Sequence, residues 1–504
     1  MPEIVASQTP PILHGPSEKE RKYDRQLRLW AASGQEALEA ANILVVNSGC
    51  GTVATETLKN LILPGIGKFT IFDKATVQEE DLGVNFFLEE ASLGKSRAQC
   101  CTELLLELNP EVQGDWYPKP EKDLTLIEEY GKQHKTPLLA VHSAGFYSYF
   151  RICLLEPFPV VDTHPDETAT TDLRLLAPWS ELEAFSQELA ANIDTLDDHA
   201  HGHLPYIVIL LHYLERWRKA HDGKNPVTYK EKVAFRQTVA DGARKNIPEG
   251  AEENFEEAVS AVLRNVEKPT IPSSVREVFA HDLQDSELRS GFWAIARAVK
   301  QFYEKHGALP LPGKVPDMKA QSKVYIQLQT IYKNKARKDA AEVLATVREL
   351  PGGKNVDPAE VELFCKNAAF IKLINATETS ADRLSKVTEE EFAKDENAEI
   401  LMAPLSLAPI YLALYATAHA PEATSDEILK SIDQLVPKAS QNERVVMVAE
   451  ELARAKGGEL HNISALTGGM VAQEIIKIIT RQYIPIDNTC IFDGISSRCQ
   501  ILRL

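Results

Sequence analysis

The sequence predicts an α/β chain in which a doubly wound, Rossmann-like domain is interrupted by a large all-helical insertion. Three observations carry this. Over residues 22–165, short apolar runs of strand type alternate with amphipathic helical segments, the pattern of a parallel sheet covered on both faces. A glycine turn, Gly49-x-Gly51-x-x-Ala54, follows the first such run and opens a helix. Between about 170 and 445 the strand signals vanish, and they return near the C-terminus. The expected organisation is a flexible tail (1–16), a first part of the α/β domain (17–168), the helical insertion (169–445) and the last part of the α/β domain (446–504).

The elements follow in order. Residues 17–41 read as a helix because Tyr23, Leu27, Trp30 and Ala31 recur at three-to-four spacing, with charged residues on the other face. Ile43-Leu44-Val45-Val46 is a continuous apolar strand. A helix over 53–63 stops at Pro64-Gly65, and Phe69-Thr70-Ile71-Phe72 is a second strand ending in Asp73. A helix over 95–108 stops at Asn109-Pro110, and strands at 138–141 and 158–161 complete the alternation. Within the insertion, helices are expected over 205–221, 227–246, 286–306, 321–349, 358–373 and 408–418. Two of them end alike, in Trp217-Arg218-Lys219-Ala220-His221 and Phe302-Tyr303-Glu304-Lys305-His306, through duplication or through shared helix-stop chemistry. A helix and short strands near Thr489–Phe492 close the α/β domain.

Composition limits the function. A net charge of −18 argues against a nucleic-acid-binding surface, which is basic. The apolar run at Tyr206–Leu211 stops at His212, too short to span a bilayer. Seven scattered cysteines without a CxxC pair, and no visible secretory signal, lead us to expect reduced thiols in the cytoplasm or nucleus.

Three local patterns bear on chemistry. Gly49, Gly51 and Asp73 have the spacing with which backbone amides and a helix N-terminus hold phosphate while the acid takes a ribose hydroxyl; equally, the small residues could serve only to let the helix pack tightly on the sheet. His199-x-His201-x-His203 offers imidazoles, but with no cysteine or fourth ligand nearby it reads as exposed loop histidines. Cys365, the one cysteine of the insertion, stands in a helical context, Leu363-Phe364-Cys365-Lys366, that reads as core packing rather than a nucleophile.

A longer constellation goes further: Tyr23-Asp24-Arg25-Gln26-Leu27, Leu58-Lys59-Asn60-Leu61, Gly65-Ile66-Gly67, Asn85-Phe86-Phe87, Gly94-Lys95-Ser96-Arg97-Ala98, and Gly468-Gly469 with Gln473-Glu474. In order and spacing this set resembles the adenylation domain of the ubiquitin-like-protein-activating enzymes and the bacterial adenylyltransferases of sulfur carriers. The resemblance covers residues 22–165 and 459–504. In the insertion, Phe364–Phe370, Tyr229–Lys232 and Pro316-Asp317-Met318 resemble one branch, the regulatory, non-catalytic half of the heterodimer that activates the ubiquitin-like modifier of cullins (neddylation).

Against active members, this chain departs where charge matters. A second aspartate falls on Ala75, an asparagine and an arginine on Gly83 and Val84, and a lysine on Arg97. No acid for magnesium lies between Lys135 and Glu156. Adenylation needs cations placed against the triphosphate, which these positions do not supply. The resemblance therefore implies a degenerate adenylation domain with no cofactor of its own, Gly49, Gly51 and Asp73 being vestigial. ATP and magnesium would sit in a homologous catalytic partner, and the ubiquitin-like modifier would be the substrate. It further implies that Arg25 reaches the partner's ATP site in trans, and that Asn85, Phe86, Phe87, Gly468, Gly469 and Gln473 lie at the partner interface. The rivals are a dinucleotide-dependent oxidoreductase resting on Gly49, Gly51 and Asp73, and a self-sufficient adenylyltransferase.

Overall fold

The computed structural model describes residues 17–118, 129–131, 133–154, 156–166, 172–244, 251–283, 287, 290–374, 381–418 and 420–504; the expected tail, 1–16, lies outside them. The chain forms two compact units, Met1–Val160 with Ile374–Leu504, and Val161–Leu373.

In the first unit, helix α1 (Glu18–Lys22) starts at a capping box between Ser17 and Glu20. Helix α2 (Asp24–Ala40) follows, with a break at Trp30 and Ala31, the latter at φ 56°. The sequence reads as one continuous helix here. The break follows from the buried indole, which donates to Gln35, and from Gln482, whose amide donates to the Trp30 carbonyl at 2.9 Å. Strand β1 (Asn42–Asn47), helix α3 (Thr52–Ile62), strand β2 (Lys68–Asp73), helix α4 (Arg97–Leu106) and strand β3 (Gln113–Tyr117) make a parallel sheet in the order β1-β2-β3. Its register sets Val45 against Ile71 and Asn47 against Asp73. Leu38, Leu58, Leu61, Ile62 and Phe69 are fully buried in its core, each worth about 1.5–3 kcal/mol of burial.

The parallel arrangement ends there. Strands β4 (Leu138–Ala144) and β5 (Tyr147–Cys153) pair antiparallel. They belong to a separate sheet, β4-β5-β6-β7, with β6 (Thr489–Asp493) and β7 (Arg498–Leu502). Among the described residues β1 has no strand on its side away from β2, and Leu44 on it is 54% exposed. Helices α5 (Ala408–Thr417), α6 (Ser425–Leu435) and α7 (Glu443–Ala455) share one core with this second sheet, through Tyr149, Leu412, Ile428, Ile432, Val445 and Ile491. Residues 374–445, which the sequence assigns to the insertion, thus belong to the first compact unit. Helix α5 is apolar all round, so its pattern signals burial without saying against which element. Helix α8 (His461–Thr480) is long and apolar enough to cross a membrane, but half of it is buried within the protein.

The second unit is mainly helical. The helix Tyr206–Ala220 lies at the centre of one core, with Ile207, Leu210 and Leu214 fully buried. The 28-residue helix Ser322–Glu349 serves that core through Leu328 and Tyr332, and a second through Val343 and Val347. The helix expected over 358–373 ends at Lys366, and Ile371–Ile374 is a strand. Both look-alike helix ends set an aromatic ring beside a histidine one turn on, Trp217 stacked on His221 at 3.8 Å and Phe302 tilted against His306 at 4.3 Å.

Candidate functional site

The glycine turn sits between β1 and α3. Gly51 precedes the first helical residue with φ 81°, and a Cβ there would collide with the Asn47 amide, so only glycine fits. The helix N-terminus that such a turn offers to an anion is already taken. The amides of Thr52 and Val53 donate to Glu459 Oε2 at 3.0 and 3.2 Å, and Ser464 Oγ donates to the same oxygen at 3.2 Å. Burial holds the Glu459 carboxyl above its usual pKa, although these donors pull the other way.

The acid at the end of β2 is equally committed. Asp73 accepts from Arg97 Nε at 2.7 Å, Asn47 Nδ2 at 2.7 Å and the Ala75 amide at 2.9 Å. The rest of the Arg97 guanidinium donates to Asp81 Oδ1 at 3.0 Å and to the Gly49 carbonyl at 2.5 Å. Arg97 and both carboxylates are buried. Burial opposes the charge on Arg97, but Asp73 and Asp81 outweigh it and raise its pKa. The cavity left between these groups is about 10 Å³, room for no more than one water. The first two helix amides and the Arg97 guanidinium, the groups best placed to meet a phosphate, are thus already committed. The turn also presents three carboxylates against one guanidinium, a balance that repels a triphosphate. The residues do not fit a nucleotide.

Around the turn, Val84 accepts from His461 Nδ1 at 2.9 Å through its carbonyl. Two residues expected at a partner surface prove internal. Asn85 is 1% exposed, its amide directed at Thr55 Oγ1 and Cys101 Sγ, which ties the loop to α3 and α4. Gly468 lets α8 approach α3 so closely that a Cβ would lie 2.8 Å from Glu56 Cβ. Phe86 is 68% exposed and stacks on His461 at 3.7 Å, and Phe87 is half-buried. Gly469 faces open space and Gln473 is exposed. Arg25 is exposed and, among the described residues, pairs with no acid: Asp24 pairs with Arg28 at 2.8 Å and Glu20 accepts from Ser17.

Cys365 is buried, and burial pushes its thiol up to about 12. The three histidines divide. His199 is exposed and stacks on His203 at 4.2 Å, whereas His201, expected in an exposed loop, is buried in the short helix Asp198–His201 against Glu252 at 2.6 Å. Among the described residues no group of three His, Cys, Asp or Glu side chains is placed to hold a metal. Sequence reasoning missed Glu459, Asp81 and Asn47. Arg97 in a lysine position was the one legible signal, while nothing in the spacing pairs Glu459 with Thr52.

Residues 23–157 match the model of the ThiF family. The chain is 36% identical over 534 residues to the "NEDD8-activating enzyme E1 regulatory subunit" of Xenopus laevis, covering 94% of this chain and 97% of that protein. To the protein of the same name from Danio rerio it is 35% identical over 540 residues, covering 97% and 99%. To the Arabidopsis thaliana "NEDD8-activating enzyme E1 regulatory subunit AXR1" it is 31% identical over 531 residues, covering 97% of each. These relatives do not favour the oxidoreductase reading. Identity at this level along nearly the whole length places the chain in the family of NEDD8-activating enzyme E1 regulatory subunits.

Proposed function

We propose that this chain is the non-catalytic half of a heterodimer that activates NEDD8. A homologous catalytic subunit supplies ATP, magnesium and the cysteine that carries the modifier as a thioester, in the cytoplasm or nucleus. The observation that carries the reading is the self-occupied turn: Glu459 on the helix amides and Arg97 on Asp73 take the places a nucleotide would use. Arg25 supports it from the other side, as an exposed guanidinium free of its own acidic neighbours and suited to bridge phosphate oxygens in trans. Phe86, Phe87, Gly469 and Gln473 offer the surface for the partner, with Asn85 and Gly468 shaping it from within.

The test is ATP–pyrophosphate exchange by the purified chain, alone and mixed with the catalytic subunit and NEDD8. Exchange should require the catalytic subunit. Exchange by this chain with the partner shown to be absent would overturn the proposal.

A further inference from the structure

The last hairpin carries a cluster that the adenylation fold does not use. Cys490 on β6 faces Ile501, and Phe492 faces Cys499 on β7. The two cysteines therefore lie diagonally on one face of the ladder, where such neighbours are in reach. From above, Met470 of α8 packs against Phe150, Val471 and Cys490. Its thioether accepts from the Cys499 thiol, Sγ to Sδ 3.8 Å. Three sulfurs from three elements thus converge, with Cys499 exposed and Cys490 buried beneath it.

We propose that Cys490, Cys499 and Met470 form a three-coordinate site for copper(I). Thiolate and thioether are soft ligands that select this ion over zinc or magnesium, and two thiolates with one thioether satisfy its low coordination number. An apolar floor of Phe150 and Val471 favours a soft ion over a hydrated one. Binding involves no redox step. Copper(I) forms two Cu–S bonds to thiolates and one to the thioether, and two thiol protons leave to solvent. The metal displaces both thiol protons as the Cu–S bonds form.

The experiment titrates the full-length reduced chain, without oxygen, with copper(I) buffered by bicinchoninate. One ion per chain and an all-sulfur shell by X-ray absorption are expected, together with protection of Cys499 from alkylation. Met470→Leu and Cys499→Ser, with the fold checked by circular dichroism, should each weaken uptake by more than the roughly 10- to 100-fold typical of an outer-shell change. Cys153→Ala should leave it unaltered. Absence of a stoichiometric ion in the wild-type chain, or uptake that survives both Met470→Leu and Cys499→Ser, would overturn the site. So would a nitrogen or oxygen shell in the absorption spectrum. The alkylation readout on unaltered protein keeps the test decisive if a variant fails to fold.

Discussion

Arg97→Met removes the guanidinium that joins Asp73, Asp81 and the glycine turn while keeping most of the apolar stem. Asp73 and Asp81 are then left buried without their shared cation, at 2.7 and 3.0 Å from where it stood. Stripping one partner from a buried ion pair costs about 3–5 kcal/mol. Asp73 retains Asn47 and the Ala75 amide, and Asp81 retains the Gln78 amide at 2.9 Å, so the lower end applies. About 3 kcal/mol corresponds to roughly two orders of magnitude in the opening constant. Because the chain has two units, a single melting curve would mix them. Hydrogen exchange resolved by peptide is the better assay, and protection should fall in β2, α3 and α4 but not in Tyr206–Ala220. Asp73→Asn in the same background should recover part of the loss, with a coupling of at least about 1 kcal/mol. A loss below about 1 kcal/mol, or strict additivity, would refute the reasoning that this triad holds the turn closed.

Further outcomes follow from the geometry of individual residues. Glu459→Ala should cost about 1–3 kcal/mol by orphaning two helix amides, whereas Glu459→Gln, which keeps an acceptor, should cost little at neutral pH by urea denaturation. Since the folded chain holds the Glu459 proton more tightly than the unfolded chain, the stability linked to it is full below the ordinary 4.5 and declines as pH rises through the folded value; Glu459→Gln should abolish that slope. Gly468→Val should cost about 1–3 kcal/mol by forcing α8 from α3, and Gly469→Ala should be near neutral, both read by urea denaturation. Cys365 should resist iodoacetamide at pH 8 unless the chain is unfolded, its thiol being pushed up to about 12. Arg25→Ala should slow pyrophosphate exchange by the heterodimer by about 10³-fold without altering assembly by native mass spectrometry; near-normal exchange would reassign the role.

The parallel half of the fold was legible because Ile43–Val46 and Phe69–Phe72 are unbroken apolar runs punctuated by glycine and proline. Strand β3, Gln-Gly-Asp-Trp-Tyr, escaped notice because its residues alternate polar and small with aromatic and are half exposed. Strand β5 was equally silent, since Ser148 and Arg151 interrupt its apolar pattern although Ser148 is buried against Thr467 at 2.7 Å. Helix periodicity found most of the helices but could not say which core each one serves, and so 374–445 was grouped with the wrong neighbours. At the site, the loss of an acid at Ala75 and of a cation at Val84 could be read residue by residue. What replaced the ligand could not, because Glu459 meets Thr52 across 407 positions of chain. A carboxylate brought to a helix end by tertiary packing leaves no mark in local spacing.

A nucleotide-binding protein ordinarily melts later as its ligand accumulates, by about 2.7 kcal/mol at a hundredfold excess over the dissociation constant. Here the ligand groups are covalent parts of the chain, and their effective concentration is set by the fold rather than by metabolism. Thermal scans of this chain should therefore be flat with respect to added ATP. In a cell short of energy, a subunit that depends on bound nucleotide loosens as its ligand is withdrawn. This one should keep its shape, since Glu459 and Arg97, which hold its turn, cannot dissociate.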